Sequence, residues 1–293
     1  MAVPDRVTVV EVGPRDGLQN EDALVPTAAK VLLIEELARC GLTVVEATSF
    51  VSPHAVPQLA DAEDVMRALD RRDGVRYPVL VPNTRGMQRA EAAGAEAVAV
   101  FTAASEAFTS ANLNMTIGDS LDAAEEVLDR AAELGWWRRG YVSTAFGCPY
   151  QGPVEEDEVV RVADALIDLG CEEVSIGDTI GIATPDDVDR VVGALLERVP
   201  AERLALHLHD TGGRALENVE AGLELGIAVF DGSAGGAGGC PFAPGAPGNL
   251  ATEQLVALLD RHGIAHGVDL DRLTAAGAGL RSLLGSDPGL TPL

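Results

Sequence analysis

Two histidines separated by one residue are the most informative chemical feature of this sequence. His207 and His209 belong to a strand-like run that begins at residue 204. Side chains two residues apart in a strand point to the same face, so the two imidazoles should lie side by side. A single histidine in a core is usually only a hydrogen-bonded structural residue, whereas two adjacent imidazoles can bind one metal ion. The pair therefore predicts a metal site.

Two oxygen donors are candidates to complete this site. Asp16 follows the first strand-like run and offers a carboxylate, and Asn249 follows the last one and offers an amide oxygen. Nitrogen and oxygen donors with exchangeable water positions suit Mg²⁺, Mn²⁺, Fe²⁺ or Zn²⁺, and the lack of thiolate donors argues against a structural zinc site. An ion with open positions can chelate a hydroxyl and a carbonyl of a substrate.

Three charged residues at strand ends extend the predicted site. Arg15 precedes Asp16, and two acids, Glu46 and Asp178, end the second and sixth strand-like runs. One interpretation is that Arg15 forms an ion pair with Glu46 or Asp178. The other is that Arg15 is a fixed cation for a developing oxyanion or a carboxylate, and both can hold at once. The two acids would then orient the metal and Arg15 or act as a general base.

One cysteine lies in a loop rich in glycine and proline. Cys240 is inside residues 235–249, which we expect to form a hinged lid over the site. A thiol on a closing lid can donate or accept a proton once water is excluded. Cys40 and Cys171 are expected in the core, and Cys148 is expected to be structural. The remaining histidines have no partner spacing and are predicted to be non-catalytic: His54, His262 and His266.

Eight strand-like runs, each followed by a helical pattern, must position these residues. The predicted strands are 7–12, 44–48, 77–81, 97–101, 140–144, 173–176, 204–208 and 227–230. The predicted helices are 28–40, 56–70, 85–93, 121–134, 155–169, 185–199, 214–225 and 249–262, with an extra C-terminal helix at 269–284. Strict β–α alternation with eight units predicts a closed (β/α)8 TIM barrel, whose active site lies at the carboxyl ends of the strands.

Two local patterns bear on this fold. Five helical patterns end at glycine, where a left-handed backbone conformation is tolerated: Gly41, Gly94, Gly135, Gly170 and Gly226. An open Rossmann-type sheet is the alternative, but it requires a Gly-x-Gly-x-x-Gly turn after the first strand. Residues 13–17 read Gly-Pro-Arg-Asp-Gly, which is not that turn.

The overall composition limits the classes of partner. The chain has 293 residues, with 46 acidic and 21 basic side chains and a net charge of −25. Such a surface repels nucleic acids and anionic membranes, and apolar runs are too short for a transmembrane helix. Four scattered cysteines and no evident signal peptide predict a reduced, cytoplasmic enzyme. We expect one domain over residues 1–293, and a homodimer is left open.

Five motifs in the right order resemble those of the 3-hydroxy-3-methylglutaryl-CoA (HMG-CoA) lyase family. They are residues 10–21, 48–53, 175–181, 207–211 and 238–253, the last resembling the cysteine-loop signature of that family. The resemblance spans nearly the whole chain. The wider group contains metal-dependent barrel aldolases and the Claisen-type synthases for isopropylmalate and homocitrate, which share the metal chemistry but not the cysteine loop. The resemblance implies that residues 1–293 form one domain of the pyruvate-carboxyltransferase-like, HMG-CoA-lyase type.

The resemblance implies a TIM barrel that binds Mg²⁺ or Mn²⁺ and cleaves HMG-CoA, an acyl-CoA, to acetyl-CoA and acetoacetate, as in leucine degradation. It implies that the metal ligands are Asp16, His207, His209 and Asn249. It also implies that Arg15 stabilises the thioester enolate and that Cys240 protonates it. Glu46, Asp178 and His207 would be acid–base or orienting groups.

Some positions depart from the family pattern and leave alternatives open. Gly212 stands where the family usually has an aromatic residue, Phe242 replaces a tyrosine and Pro247 replaces a serine or threonine. These changes concern the acyl chain, so another 3-hydroxyacyl-CoA is the nearest alternative substrate. A CoA-independent aldolase and a catalytically silent binding subunit are further alternatives. The CoA phosphates would need a cation at the barrel rim, for which the candidates are Arg85, Arg138, Arg139 and Arg214.

Overall fold

A computed structural model describes residues 2–239 and 248–285. The strands in these residues form one sheet in which every pairing is parallel. They are β1 (Thr8–Glu11), β2 (Val44–Val45), β3 (Thr48–Ser49), β4 (Val79–Leu80), β5 (Ala97–Ala103), β6 (Trp137–Ser143), β7 (Glu173–Asp178), β8 (Leu204–Leu208) and β9 (Val229–Gly232). Their order in the sheet is β2-β1-β9-β8-β7-β6-β5-β4-β3.

The two ends of this order meet because β2 and β3 belong to one extended segment. The segment breaks only at Glu46 and Ala47, and β2 pairs with β1 while β3 pairs with β4. Even at the break, the Glu46 backbone N–H donates to the Glu11 carbonyl at 2.8 Å and the Ala47 N–H donates to the Pro78 carbonyl at 2.9 Å. Residues 44–49 therefore act as a single barrel strand, and the predicted eight-stranded barrel is confirmed.

Helices follow the strands and surround the barrel. They are α1 (Thr27–Arg39), α2 (Ala62–Ala68), α3 (Thr84–Ala92), α4 (Glu106–Leu113), α5 (Ile117–Glu133), α6 (Glu156–Asp168), α7 (Pro185–Leu196), α8 (Ala215–Glu224), α9 (Thr252–Arg261) and α10 (Leu270–Leu284). The extra C-terminal helix is confirmed as α10. The sequence patterns missed α4, whose N-cap Ser105 accepts a hydrogen bond from the Phe108 N–H. None of the described helices is long and apolar enough to span a membrane.

Side chains alternate between the barrel interior and the layer under the helices. Val10 and Val12 belong to a small interior cluster, whereas Val7 and Val9 belong to the large cluster between barrel and helices. The glycines predicted at helix ends have positive φ, as at Gly41 (φ 99°), where a Cβ would lie 2.2 Å from the Gly267 carbonyl. Glycine there allows α1 to end directly against the segment that leads into α10.

The last residue of β1, Glu11, is fully buried and faces this outer layer. Burial raises the pKa of its carboxyl to about 8, with hydrogen bonds from Ala234, Thr252 and Gly13 acting against it and the nearby charge of Glu253 acting with it. The folded protein therefore keeps a proton that the unfolded chain releases near pH 4.5. Stability attributable to this group falls as the pH rises from about 5 to about 8.

Glu11→Gln is expected to remove that pH dependence. The amide mimics the protonated carboxyl in size and hydrogen bonding but does not titrate. Urea unfolding at pH 5.5 and 8.5 measures the difference, and wild type should lose more stability over this interval than the glutamine variant. Parallel pH profiles for the two proteins would contradict a protonated Glu11.

Candidate active site

The residues that the sequence singled out gather at the carboxyl ends of the strands. A cavity of about 640 Å³ opens there, and its wall includes Arg15, Asp16, His207 and His209. Arg15 and Asp16 come from a π-helical turn, Gly13–Gly17, directly after β1. The mouth of the barrel thus brings a cation, a carboxylate and two imidazoles to one cavity, as the sequence predicts.

Asp16, His207 and His209 form a candidate metal site. One ligand atom from each lies within 4.8 Å of the other two. The two imidazole centroids are 5.2 Å apart, which agrees with the side-by-side arrangement expected at positions i and i+2 of a strand. Burial opposes ionisation of Asp16, but the charges of Arg15, His207 and His209 outweigh it and lower the pKa of this carboxyl. The carboxylate is therefore an anionic donor at neutral pH.

A second carboxylate fixes the orientation of His207. Nδ1 of His207 lies 3.2 Å from Oδ2 of Asp231 on β9, and Nε2 faces Oδ2 of Asp16 at 3.8 Å. Burial lowers the pKa of His207, but the hydrogen bond to Asp231 and the charge of Asp16 raise it further than burial lowers it. Metal-binding histidines typically use such a carboxylate to set the ring tautomer and orientation.

The surroundings of His209 show that the site suits a cation. Its Nδ1 is buried and has no hydrogen-bond partner among residues 2–239 and 248–285. Burial, followed by the nearby His207, lowers the pKa of His209 to about 4, so the ring is neutral at pH 7. A neutral imidazole with an unpaired buried nitrogen, next to a carboxylate, suits a divalent ion.

Asn249 adjoins the same group. Its Nδ2 donates to Oδ2 of Asp16 at 3.0 Å and to the Ala237 carbonyl at 3.3 Å. In this arrangement the amide nitrogen, not the oxygen, faces Asp16. A 180° rotation of the Asn249 side-chain amide exchanges its oxygen and nitrogen. The hydrogen-bond network decides which of the two atoms faces Asp16. The structure thus places Asn249 beside the candidate ligands predicted from sequence.

Arg15 is buried and held on two sides. Its Nε donates to Oε2 of Glu46 at 2.9 Å, and its Nη1 lies 2.5 Å from Oδ1 of Asp16. The guanidinium also lies over the Tyr141 ring, 5.3 Å from its centroid. Of the two ion pairs considered from sequence, the structure shows the one with Glu46. These contacts fix the orientation of the Arg15 guanidinium in the cavity.

Glu46 and Asp178 lie behind the cavity wall. Burial raises the pKa of Glu46, partly offset by Arg15, and Tyr141 Oη donates to its Oε2 at 3.0 Å. Asp178 accepts hydrogen bonds from the backbone N–H groups of Ile182 and Ala183, which orders the loop after β7. Burial raises the pKa of Asp178 to about 6. The contacts of both acids hold other groups in place.

Sequence reasoning missed a buried network beneath the site. Arg139 is fully buried, and its Nη2 donates to Oδ1 of Asp231 at 2.6 Å while its Nη1 donates to Tyr141 Oη at 2.8 Å. Asp231 in turn contacts His207, and Tyr141 donates a hydrogen bond to Glu46. Arg139 is therefore connected to both His207 and Glu46. The sequence feature that could have indicated this network is Asp231, a buried acid that directly follows the apolar residues 227–230.

The structure excludes two of the four arginines that were predicted to lie at the barrel rim. Arg139 points into the barrel, and Arg138 lies at the amino end of β6 near Glu172, so neither is at the mouth. Arg85 in the first turn of α3 and Arg214 before α8 are exposed at the mouth side. Of the four, Arg85 and Arg214 therefore stay candidates for contact with the CoA phosphates.

Asp231→Asn is expected to weaken binding of Mn²⁺ by about 10- to 100-fold, because His207 loses the carboxylate that orients it. Electron paramagnetic resonance of free Mn²⁺ measures the affinity. Glu173→Gln is the matched control, since Glu173 contacts Arg139 at 2.8 Å but is not a partner of His207. Equal affinities of wild type and Asp231→Asn would contradict the role of Asp231.

The other cysteines and histidines have the expected surroundings. Cys40, Cys148 and Cys171 are buried and free, and the Ser105 hydroxyl donates to the Cys148 sulfur at 2.9 Å. His262 and His266 pair with acids on the surface side of the helices. The predicted catalytic Cys240 and most of its loop lie outside the described residues.

The fold and the site together define a (β/α)8-barrel enzyme with a candidate divalent-metal centre at the barrel mouth. The family model described as HMGL-like matches residues 6–279. This chain belongs to the HMGL-like family.

Known relatives and solved structures resemble the chain over nearly its full length. The bovine protein named "Hydroxymethylglutaryl-CoA lyase, mitochondrial" is 51% identical over 94% of this chain and 85% of its own. The crystal structure of the HMG-CoA lyase from Brucella melitensis matches with a TM-score of 0.94 and 52% identity, covering 96% of this chain and 99% of that one. An HMG-CoA lyase from Acinetobacter baumannii in complex with coenzyme A and 3-methylmalate matches with a TM-score of 0.92 and 39% identity, covering 100% and 99%.

Proposed function

We propose that this protein is a metal-dependent carbon–carbon lyase that cleaves HMG-CoA to acetyl-CoA and acetoacetate. The observation that carries the proposal is the convergence of Asp16, His207 and His209 beside the fixed guanidinium of Arg15 in one cavity. The named activities of relatives about 50% identical support the same substrate. The carboxyl ends of barrel strands are where such chemistry is found.

The reaction is a retro-Claisen cleavage. A base takes the proton of the C3 hydroxyl, and the oxygen electron pair forms the new C3 carbonyl as the C2–C3 bond breaks. The electron pair of that bond passes to the thioester as an enolate, which is then protonated at C2. The products are acetyl-CoA and acetoacetate, so no oxidant, reductant or second substrate is needed.

Asp16, His207, His209 and Asn249 would hold the divalent ion, Mg²⁺ or Mn²⁺. Bound there, the ion would polarise the hydroxyl and carbonyl oxygens of the substrate. We assign removal of the hydroxyl proton to the carboxylate of Asp16, whose Oδ2 lies 3.8 Å from Nε2 of His207. Asp231 supports this step by orienting His207, because its Oδ2 faces Nδ1 and leaves Nε2 directed at Asp16.

Arg15 would stabilise the enolate oxygen. A guanidinium already oriented by Glu46 and Asp16 needs no reorganisation when negative charge develops, which is the condition for strong electrostatic catalysis. Glu46 and Asp178 then act as positioning residues for Arg15 and for the loop after β7. We propose that Cys240 protonates the enolate, as the resemblance to the family implies.

The cavity wall is mixed in character. Its apolar part includes Leu80, Phe101, Phe108 and Met115, and its polar part includes the site residues. The acyl group of a thioester is likewise apolar along its chain and polar at its hydroxyl and carbonyl groups. The wall thus supports an acyl-CoA whose 3-hydroxyl faces the candidate ligands.

The net charge of −25 requires local cations for an anionic substrate. Arg85 lies two residues after Asn83, which caps α3 and belongs to the cavity wall, and we therefore place its side chain near the path of the CoA phosphates. Arg85→Glu is expected to raise KM about 3- to 10-fold with little change in kcat, since it changes binding and not chemistry.

Steady-state kinetics at two salt concentrations measures this effect. Arg138→Glu, the same charge reversal at the opposite end of the barrel, is the control and should leave KM nearly unchanged. Equal KM values for the two variants would contradict a phosphate contact at Arg85.

A substrate panel tests the proposed function against its alternatives. Protein loaded with Mg²⁺ or Mn²⁺ is incubated with HMG-CoA, with other 3-hydroxyacyl-CoAs and with a CoA-free hydroxy-keto acid. The highest kcat/KM is expected for HMG-CoA. A higher value for another thioester would change the substrate, and cleavage of the hydroxy-keto acid alone would favour the CoA-independent aldolase.

We further propose that residues 1–293 act as one domain in the cytoplasm. Three buried, free cysteines support a reducing compartment, and one apolar cluster connects the barrel with all the surrounding helices from α1 to α10. Subcellular fractionation of the native host tests the compartment.

A further inference from the structure

The fully buried carboxyl group of Glu11 connects three separate elements. Its Oε1 accepts hydrogen bonds from the Gly13 N–H at 2.8 Å and the Ala234 N–H at 2.9 Å. Its Oε2 accepts one from the Thr252 hydroxyl at 2.7 Å. A Cβ on Gly13 would lie 2.6 Å from Oε1, so the carboxyl group of Glu11 lies directly against the backbone there. Glu11 is outside the cavity wall and outside the proposed chemistry.

The three partners are the points from which the site residues extend. Gly13 begins the π-helical turn that contains Arg15 and Asp16. Ala234 lies just after β9, and Thr252 is the first residue of α9, three positions beyond Asn249. One side chain therefore joins the turn of Asp16 to both flanks of the segment that contains Asn249.

Further hydrogen bonds carry this connection to Asn249. The Ser233 hydroxyl donates to the Ala237 carbonyl at 2.8 Å, and Asn249 Nδ2 donates to the same carbonyl and to Asp16. The Asn249 N–H donates to the Gly238 carbonyl at 3.2 Å. Glu11, the Asp16 turn and the Asn249 segment thus form a closed ring of contacts.

We propose that Glu11 is a positioning residue that holds Asn249 against Asp16 and thereby sets the affinity of the site for a divalent cation. Loss of its carboxyl group removes the hydrogen bonds to Ala234 and Thr252 together, so the Asn249 segment and the Asp16 turn can separate. The inference rests on the proposed metal-dependent function, but its primary readout, cation binding, does not require substrate.

Three variants test this role, with Mn²⁺ alone as the probe in isothermal titration calorimetry at pH 7. Glu11→Leu removes all three hydrogen bonds and is expected to weaken Mn²⁺ binding about tenfold or more. Glu11→Gln keeps the acceptor for Gly13 and Ala234, and its amide can donate to Thr252, so affinity should stay within about twofold of wild type. Thr252→Val removes one bond in a nearly isosteric way and should give an intermediate loss.

Leu166→Ala is the control for general destabilisation. Leu166 is fully buried between α6 and the barrel, away from the site, and its truncation should cost about 2–5 kcal/mol of stability without weakening Mn²⁺ binding. If Glu11→Leu does not fold, the comparison of Thr252→Val with Glu11→Gln replaces it. Mn²⁺ affinity equal to wild type in the folded leucine variant, or in Thr252→Val where that replaces it, would overturn the proposal.

The same proteins separate this inference from the proposed function. Weaker Mn²⁺ binding in Glu11→Leu supports the inference even if wild type fails to cleave HMG-CoA, an outcome that would overturn the proposed function alone. Unchanged Mn²⁺ binding in Glu11→Leu, together with cleavage of HMG-CoA by the wild type, would overturn the inference alone.

Discussion

Replacing Arg15 with methionine is expected to lower kcat about 100-fold or more while the protein stays folded, since the charge acts mainly on the transition state. Methionine keeps much of the side-chain length but cannot donate to an enolate oxygen. It also leaves Glu46 without its cation, although burial already raises the pKa of that carboxyl and favours its neutral form. The measurement is the rate of acetyl-CoA release at saturating HMG-CoA.

Arg138→Met is the matched control for Arg15→Met. Arg138 lies at the amino end of β6, far from the mouth, and its weak ion pair with Glu172 is partly exposed. This variant should keep nearly full activity. A loss of less than about threefold in Arg15→Met would contradict the assignment of Arg15 to the enolate.

Replacing His209 with alanine is expected to abolish turnover by removing the metal. The variant deletes the one imidazole in the cavity wall whose buried Nδ1 lacks a partner in the described part of the chain. Elemental analysis should find a bound metal in wild type and little in the variant, and Mn²⁺ affinity should fall about 100-fold or more, because three donors cannot replace four.

His266→Ala controls for the loss of an imidazole elsewhere. His266 pairs with Asp260 near α9 and takes no part in the cavity. Its variant should retain metal and activity. Normal metal content and turnover in His209→Ala would instead favour the silent binding subunit considered from sequence.

Much of the barrel was predictable because each unit has a local signal. Apolar runs mark the strands, and glycines with positive φ mark helix ends such as Gly41. The helix α4 was not predicted, because its N-cap Ser105 follows β5 within two residues and no apolar periodicity separates the two elements. Its side chains Phe108 and Leu113 face the cavity.

Within the site, the residues in short motifs at strand ends were predictable from the sequence. The buried residues that position them were not. His207 and His209 are two apart, and Arg15 and Asp16 are adjacent, so their proximity follows from local geometry. The contacts of Asp231 with His207 and Arg139, and of Glu11 with Thr252, span 24 to 241 positions in the chain, which no local pattern encodes. Their role depends on which strands become neighbours when the barrel closes.

The most direct test of the account is the stoichiometry of products from HMG-CoA. Purified protein is stripped with a chelator, reloaded with Mg²⁺ or Mn²⁺, and incubated with HMG-CoA, and acetyl-CoA and acetoacetate are quantified separately. Equal amounts of the two products are expected from the reloaded protein, and neither product from the stripped protein. The absence of acetoacetate from the reloaded protein, or equal rates with and without metal, would contradict it.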